Sequence, residues 1–131
     1  MIAVDTSALI SILLNEPSAP QCSRVLEAPD TRFVISAGTF LEVQIVASGK
    51  NCRAGLDKLL NLLPFEIIDL TAARAELAAE AYRAYGRNFH RAALNFGDCF
   101  SYATAKEFGC PLLFVGNDFA QTDVRSALPS A

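Results

Sequence analysis

Four carboxylates in this sequence stand at the junctions between apolar runs and predicted helices. They are Asp5, Glu42, Asp98 and Asp118. The first follows the apolar run Ile2–Val4 and the last follows Leu112–Val115, while the other two lie in the first turns of predicted helices. The carboxyl ends of parallel strands meet at one edge of an open sheet, so we expect the four side chains to converge there.

A cluster of four carboxylates is electrostatically unfavourable unless something neutralises it. Two unit charges ~4 Å apart repel by about 1 kcal/mol in water and by about 4 kcal/mol at an effective dielectric of 20. Either several of the acids are protonated, or a hard cation binds them. Ligands that are all oxygen favour Mg²⁺ or Mn²⁺ over Zn²⁺. Such an ion orients a phosphodiester and activates a water, and helix N-termini at the same edge also favour phosphate.

Asp5 has a second interpretation, because a carboxylate at this position also caps a helix. Thr6 and Ser7 are good N-cap residues as well, and Ala8 to Leu14 can continue as a helix. Taken alone, Asp5 is explained equally well by capping and by catalysis. The functional interpretation depends on the other acids arriving at the same edge.

The length and composition predict one domain over residues 1–131, with 52% hydrophobic residues and a net charge of −3. No apolar run approaches the length of a membrane span, and Asp5 interrupts the N-terminus before a signal-peptide core could form. We therefore expect a cytoplasmic protein without a membrane partner. The charge balance by itself gives no signal for nucleic acid.

The cysteines and the histidine exclude several classes of site. The four cysteines show no C-x-x-C pair and no histidine at ligand spacing, which argues against a zinc site and a disulfide framework. They are Cys22, Cys52, Cys99 and Cys110. We expect them to be reduced and mostly buried. The only histidine is His90, and no nucleophile stands near it, so a Ser-His-Asp or Cys-His mechanism is set aside.

One segment combines basic and aromatic residues without any acid, and it runs from Arg83 to Gly97. Its basic residues are Arg83, Arg87, His90 and Arg91, and Tyr85, Phe89 and Phe96 lie among them. Such a segment can hold phosphates and stack on bases even in an acidic protein. The alternative is a solvated helix end and loop.

Strand and helix patterns alternate along the chain. The strands are predicted at Ile2–Val4, Phe33–Ile35, Phe65–Leu70 and Leu112–Val115. Ser36, Asn51 and Thr71 are predicted to cap three of the helices between them. The alternation predicts an α/β fold with a mainly parallel sheet and right-handed crossovers.

Four short segments, taken in order, carry a resemblance to a known family. They are MIAVDTSAL at 1–9, TFLE at 39–42, NFGD at 95–98 followed by YA at 102–103, and GNDF at 116–119 followed by TD at 122–123. In this order the chain resembles the PIN-domain ribonucleases, and more narrowly the VapC toxins of bacterial VapBC toxin–antitoxin modules. The resemblance extends over essentially the full length.

The resemblance implies a three-layer α/β/α sandwich around the parallel sheet. It further implies a Mg²⁺-dependent endoribonuclease that cleaves structured RNA, typically tRNA or rRNA. The expected partners are a second copy of the chain in a homodimer and a VapB-like antitoxin, whose tail fills the acidic groove.

The resemblance also assigns roles to the acids. Asp5 and Asp98 are the expected metal ligands, and Asp118 completes the site directly or through a water. Glu42 is expected to hold the attacking water or to help deprotonate it. The basic residues Arg83, Arg87, His90 and Arg91 are expected to guide RNA to the metal.

Four further residues are expected to support the acids. They are Thr6, Ser7, Thr122 and Asp123. Thr6 or Ser7 is expected to orient Asp5. Asp123 and Thr122 are close enough in sequence to Asp118 to support the metal site beside it. Whether Asp118 or Asp123 is the fourth acid stays open.

Two rival interpretations remain. An aspartate-based phosphatase also uses an Asp after its first strand, but it needs a second Asp two residues later, where this chain has Ser7, and usually a lysine near the phosphate. A non-catalytic module that binds RNA or protein would not need to retain acids that repel one another.

Overall fold

The computed structural model describes residues 1–129, and the last two residues of the predicted domain, Ser130 and Ala131, lie outside the described residues. The strands are β1 (Ile2–Val4), β2 (Phe33–Ser36), β3 (Phe65–Ile68) and β4 (Leu112–Leu113). The helices are α1 (Thr6–Leu13), α2 (Ala19–Leu26), α3 (Ala37–Gly49), α4 (Arg53–Leu62), α5 (Ala72–Tyr85) and α6 (Phe96–Glu107). A short 3₁₀ turn follows at Phe119–Gln121.

The strands form one sheet in the order β3-β2-β1-β4, and every pairing in it is parallel. The predicted parallel sheet is therefore confirmed. β1 and β2 are almost completely buried, as expected for strands covered on both faces. The register pairs Ala3 of β1 with Val34 on one side and with Leu112 on the other. The strands consequently end side by side, at the edge from which the segments carrying the acids depart.

Helices cover both faces of the sheet. Ala3 and Val34 pack with residues of α5 and α6, whereas the alternate strand residues Val4 and Ile35 pack with residues of α1 to α4. Successive side chains of a strand point to opposite faces, so a run of only a few residues contributes to both cores. The α/β/α sandwich is confirmed.

Two strands are shorter than the sequence predicts. β3 ends at Ile68, whose partner Ser36 is the last residue of β2, and β4 ends at Leu113, whose partner Val4 is the last residue of β1. A strand cannot continue its ladder once its neighbour has turned away into a helix. The predicted extensions to Leu70 and Val115 are therefore wrong.

The predicted caps are confirmed in part. Ser36 and Thr71 accept backbone N–H groups at the starts of α3 and α5. The prediction for Asn51 is wrong, because this residue has a left-handed backbone with φ of 57° and Cys52 takes the position before α4. At α1 the cap is Asp5 and not Thr6 or Ser7, which both lie inside the helix.

The predictions for the cysteines and for membrane spans can also be compared with the structure. All four cysteines are free thiols, and each is buried or partly buried. Among residues 1–129, no helix is long and apolar enough to cross a membrane.

Candidate active site at the carboxyl edge of the sheet

Asp5 lies at the end of β1 and is only 3% exposed. Its backbone N–H still donates to the carbonyl of Leu113, so the residue belongs to the sheet and to the helix start at once. Its Oδ2 accepts the backbone N–H of Ser7 at 3.0 Å and the Ser7 hydroxyl at 2.7 Å. The capping interpretation of Asp5 is thus correct, and it does not compete with a role in the site.

The second oxygen of Asp5 is held by a helix from the far end of the chain. Ser101 on α6 donates its hydroxyl to Asp5 Oδ1 at 2.5 Å, and the same hydroxyl lies 3.1 Å from the Thr39 hydroxyl on α3. Ser7 Oγ in turn accepts the backbone N–H of Val115 at 3.0 Å. Hydrogen bonds from Ser7 and Ser101 therefore fix both oxygens of the buried carboxylate, and Val115 and Thr39 hold these two serines in turn.

The sequence assigned no role in the site to Ser101 or to Thr39, although Thr39 begins the TFLE segment at 39–42. A weak signal was available, because Ser101 follows Asp98 by three residues and so lies on nearly the same face of a helix. Nothing local indicates that this hydroxyl points at Asp5, which is 96 residues away in the chain.

Glu42 lies in the second turn of α3 and not in the predicted first turn, since that helix begins at Ala37, but it reaches the same edge. Thr6 donates its hydroxyl to Glu42 Oε1 at 2.6 Å. Thr6 therefore orients Glu42, and of the two residues expected to orient Asp5 only Ser7 contacts it. Burial raises the pKa of Glu42, the Thr6 hydrogen bond lowers it, and the charge of Asp5 raises it further.

Gly97 makes the close approach of Glu42 to α6 possible. A Cβ built at position 97 would overlap the Oε2 atom of Glu42. The carboxylate of Glu42 thus lies directly against the first turn of α6, where the next residue is Asp98. Any side chain at position 97 would push Glu42 away from the start of α6.

Asp98 lies in the first turn of α6 and forms a capping box with Asn95. Its Oδ2 accepts the Asn95 backbone N–H at 3.1 Å, while its own N–H donates to Asn95 Oδ1 at 2.9 Å. Burial raises the pKa of Asp98 to about 7, with further increases from the charges of Asp5, Asp118 and Glu42, although the Asn95 hydrogen bond lowers it. The structure thus brings the charges of the other three predicted acids within electrostatic reach of Asp98.

The four acids differ in exposure. Asp118 is exposed, in the turn that precedes the 3₁₀ segment. The other three acids line one open cleft of about 340 Å³. The cleft is completed by Thr6, Ser7, Ile10, Glu16, Val46 and Val115. Glu16, a fourth carboxylate at this cleft, is a residue that the sequence did not single out.

Asp123 and Thr122 make their contacts elsewhere. Asp123 accepts the Tyr102 hydroxyl at 2.5 Å and the Lys106 ammonium at 3.1 Å, and the Tyr102 hydrogen bond is the main reason that its pKa is lowered. Thr122 donates its hydroxyl to the Phe119 carbonyl at 2.7 Å and so closes a local turn. Asp123 thus contacts the C-terminal half of α6, Thr122 contacts its own turn, and neither residue lines the cleft with Asp5, Glu42 and Asp98.

The donor set of the cleft fits a hard cation. Among the described residues, no three acidic, histidine or cysteine side chains form a ready-made metal cage. Mg²⁺ does not need one, because it keeps several waters and binds through one or two carboxylates plus substrate phosphate. Oxygen donors around a carboxyl group whose pKa is raised to about 7 are the arrangement that such an ion would neutralise.

The residues of the basic segment lie in two different environments. Arg83, Arg87 and Arg91 are exposed, and the first two border the end of α6 that carries Asp98. His90 instead turns inward, where its Nδ1 accepts the Ala92 backbone N–H at 2.9 Å and its ring packs edge-on against Tyr85. The structure gives His90 local contacts that shape the loop.

Sequence comparison identifies the family. Residues 2–125 match the PIN domain family. The VapC ribonuclease Mb0640 of Mycobacterium bovis is 41% identical over 132 residues, which cover 98% of this chain and 100% of the relative. Ribonuclease VapC of Mycolicibacterium smegmatis is 42% identical over 126 residues, which cover 94% of this chain and 97% of the relative.

Solved structures show the same fold at lower sequence identity. Mycobacterium tuberculosis VapC20, described as a sarcin-ricin loop cleaving toxin, has a TM-score of 0.79 at 16% identity, covering 98% of this chain and 100% of that chain. VapBC2 from Rickettsia felis, solved with a promoter DNA fragment, has a TM-score of 0.70 at 18% identity and 96% coverage of both chains. By sequence, length and fold, this chain belongs to the VapC ribonucleases, the PIN-domain toxins of toxin–antitoxin modules.

Proposed function

We propose that this toxin is a Mg²⁺-dependent endoribonuclease that cleaves a phosphodiester bond in structured RNA, of the tRNA or rRNA class. The observation that carries the proposal is the convergence of uncompensated carboxylates on Asp98, whose pKa burial raises to about 7. Such a cluster costs folding free energy, and perturbed carboxylates in a cleft are typical of functional sites.

The residues of the cleft divide into those that would hold the ion and one that would handle a proton. Asp5 and Asp98 are the proposed ligands, with Mn²⁺ as an alternative to Mg²⁺. Asp118, which is exposed and does not line the cleft, would complete the site through a water. When bound, Mg²⁺ supplies positive charge at the phosphate and lowers the pKa of the attacking water.

Glu42 is the proposed general base. One of its oxygens is held by Thr6, and burial raises its pKa towards the range in which a carboxylate accepts a proton efficiently. Asp5 is less suited to this work, because both of its oxygens already accept hydrogen bonds, from Ser7 and from Ser101.

Two features support RNA as the substrate. The relatives that match over nearly the full length are named as ribonucleases, and one solved structure of the same fold is described as cleaving the sarcin-ricin loop. Arg83 and Arg87 provide exposed positive charge close to the end of α6 that carries Asp98, and Arg91 is also exposed. Phosphate contacts from such arginines supply affinity without sequence preference.

The partners remain part of the proposal. A VapB-like antitoxin and a second copy of the toxin are expected from the family, and the cytoplasm is the expected location. Leu41 and Ile45, which are 58% and 61% exposed one turn apart on α3, offer an apolar face for one of these partners.

The phosphatase alternative is disfavoured by the surroundings of Asp5. The residue two positions after Asp5 is Ser7, whose hydroxyl donates to Asp5, and no lysine within residues 1–129 lines the cleft, so the second aspartate and the lysine of such an enzyme are both missing. The non-catalytic module is the alternative that experiment must address.

The test is cleavage of total cellular RNA by the purified toxin, freed of any antitoxin, with Mg²⁺, with EDTA, and with the variant Asp5→Asn. We expect a small set of discrete cuts that requires Mg²⁺ and disappears in the variant, and sequencing of the new ends identifies the RNA. Cutting that survives in EDTA contradicts the metal mechanism. RNA binding without any cutting favours the non-catalytic module.

A further inference from the structure

A second concavity lies across the N-terminus of α6 from the acid cleft. It is a groove of about 1020 Å³ between α5 and α6, with alanine side chains of α5 along its floor. Phe96 and Asp98 are two residues apart on α6 and therefore point to nearly opposite sides of the helix. Phe96 lines the groove while Asp98 lines the cleft, so a single helix end separates the two sites.

Aromatic rings form the upper walls of this groove. Phe96 is 80% exposed and packs edge-on against Phe100 at 5.0 Å between ring centroids. On the opposite wall, Phe89 is 61% exposed and packs edge-on against Tyr82 at 5.8 Å. An edge-on pair leaves ring faces free, and exposed faces of this kind are the surfaces on which nucleobases stack.

Phe100 supports the wall of the groove that carries Phe96. The Phe100 ring sits so close to α3 that a Cβ at Gly38 would lie 2.7 Å from it. Phe100 therefore cannot move inward, and it supports Phe96 in its exposed position. A pre-positioned ring loses little conformational entropy when it binds.

The edge of the groove is positively charged. Arg83 and Arg87 line it, and within residues 1–129 neither arginine takes part in an ion pair. The segment from Arg83 to Gly97 contains no acid. Free guanidinium groups beside exposed aromatic rings complement a chain of phosphates that carries bases.

We propose that this groove, the aromatic groove, binds unpaired bases of the substrate RNA next to the phosphodiester that lies in the acid cleft. The inference rests on the proposed function. The two sites are separated by about 10 Å, the diameter of a helix, which a short stretch of extended RNA spans. The N-terminus of α6 lies between them and favours a phosphate there. The enzyme would thus select a loop or single strand over a continuous duplex, whose bases are not free to stack.

The test compares two RNA probes on the full-length protein in EDTA, where cleavage cannot interfere. One is a short single-stranded RNA with 2-aminopurine, a base whose fluorescence falls on stacking, and the other is the same strand in a duplex. We expect Phe96→Ala to weaken single-strand binding about 10-fold and to abolish the quenching, because one base–aromatic stack is lost. Duplex binding should be unchanged, and Leu62→Ala, which removes another exposed apolar side chain, should alter neither probe.

Arg87→Ala provides a second, independent readout. It should reduce the salt dependence of binding by about one unit of slope and leave the quenching in place, because it removes a phosphate contact and not a stack.

Two outcomes overturn the inference. The first is unchanged quenching and affinity in Phe96→Ala. The second is a change of assembly size by light scattering in Phe96→Ala without any effect on the RNA probe, which would assign the groove to a protein partner or a second copy. Either result leaves the metal-dependent cuts of the wild-type enzyme intact, whereas their absence is the result that removes the proposed function itself.

Discussion

The two ends of α6 give carboxylates opposite environments. At the N-terminal end, Asp98 lies near three other acids, pairs with no Lys or Arg among the described residues, and has its pKa raised to about 7, chiefly by burial. Towards the C-terminal end, Tyr102 and Lys106 donate hydrogen bonds to Asp123, and the pKa of this carboxyl group is lowered. The same helix therefore carries an uncompensated acid and contacts a compensated one.

The difference indicates which acid is structural. The chain satisfies Asp123 with a hydroxyl and an ammonium group, so nothing further is needed from outside. It leaves Asp98 with a single backbone hydrogen bond amid like charges, an arrangement that costs free energy unless a cation arrives. The comparison therefore favours Asp118 over Asp123 as the proposed fourth acid.

The largest expected effect is the difference in RNA cleavage between a variant of Asp98 and a variant of Asp123. Asp98→Asn should reduce RNA cleavage by more than about 100-fold, because it removes a proposed metal ligand while the amide oxygen can still accept the Asn95 hydrogen bond. Asp123→Asn should keep cleavage within about a factor of three of the wild type, because it alters only the contacts with Tyr102 and Lys106, away from the acid cleft. Initial rates on one defined RNA measure both. A large loss in Asp123→Asn would reverse the assignment of the fourth acid.

A smaller effect is expected at the serine that positions Asp5. Ser101→Ala should weaken Mn²⁺ or Mg²⁺ binding by about 10- to 100-fold, because it releases one oxygen of Asp5. The matched control is Ser11→Ala, since the Ser11 hydroxyl is equally buried but has no hydrogen-bond partner among the described residues. Titration calorimetry measures both affinities without requiring cleavage. Equal affinities in the two variants would limit Ser101 to a packing role.

The smallest effect concerns stability and pH. Asp98 in the folded state keeps its proton up to a pH of about 7, whereas the unfolded chain loses it near 3.8, the ordinary pKa of an aspartate. The folded state then binds more protons over this window, so the free energy of unfolding should fall as pH rises from about 4 to about 7. Asp98→Asn should remove this part of the decline and melt a few degrees higher than the wild type at pH 8 in EDTA.

For Asp123 the linkage has the opposite sign. Its lowered pKa contributes stability above its ordinary value near 4, and this contribution is lost as pH falls through the folded-state value. Asp123→Asn should therefore lower the melting temperature slightly at neutral pH. Melting curves of the wild type and both variants across pH test the two signs together. Equal melting temperatures for the wild type and Asp98→Asn at pH 8 in EDTA would show that the acid cluster carries no free-energy cost.

Much of the fold was predictable because its signals are local. The run Phe33–Ile35 is apolar enough to identify a buried strand, and Ser36 and Thr71 are caps whose partners lie within three residues. The errors arose where a neighbour decided the outcome. β3 and β4 stop where their partners stop, and Asn51 adopts a left-handed backbone in a turn whose geometry is set by α3 and α4.

The sequence by itself determined that acids follow the strands and begin the helices of a parallel α/β protein, because side-chain type and chain order are enough to place Asp5, Glu42 and Asp98 at one edge. Only the tertiary structure decided how these acids are held. Thr6 pairs with Glu42, Ser101 pairs with Asp5, and Gly97 admits Glu42 beside Asp98, all across long sequence separations. Hydrogen bonds and close contacts of this kind depend on the packing of α1, α3 and α6 against the sheet, and no local pattern encodes that packing.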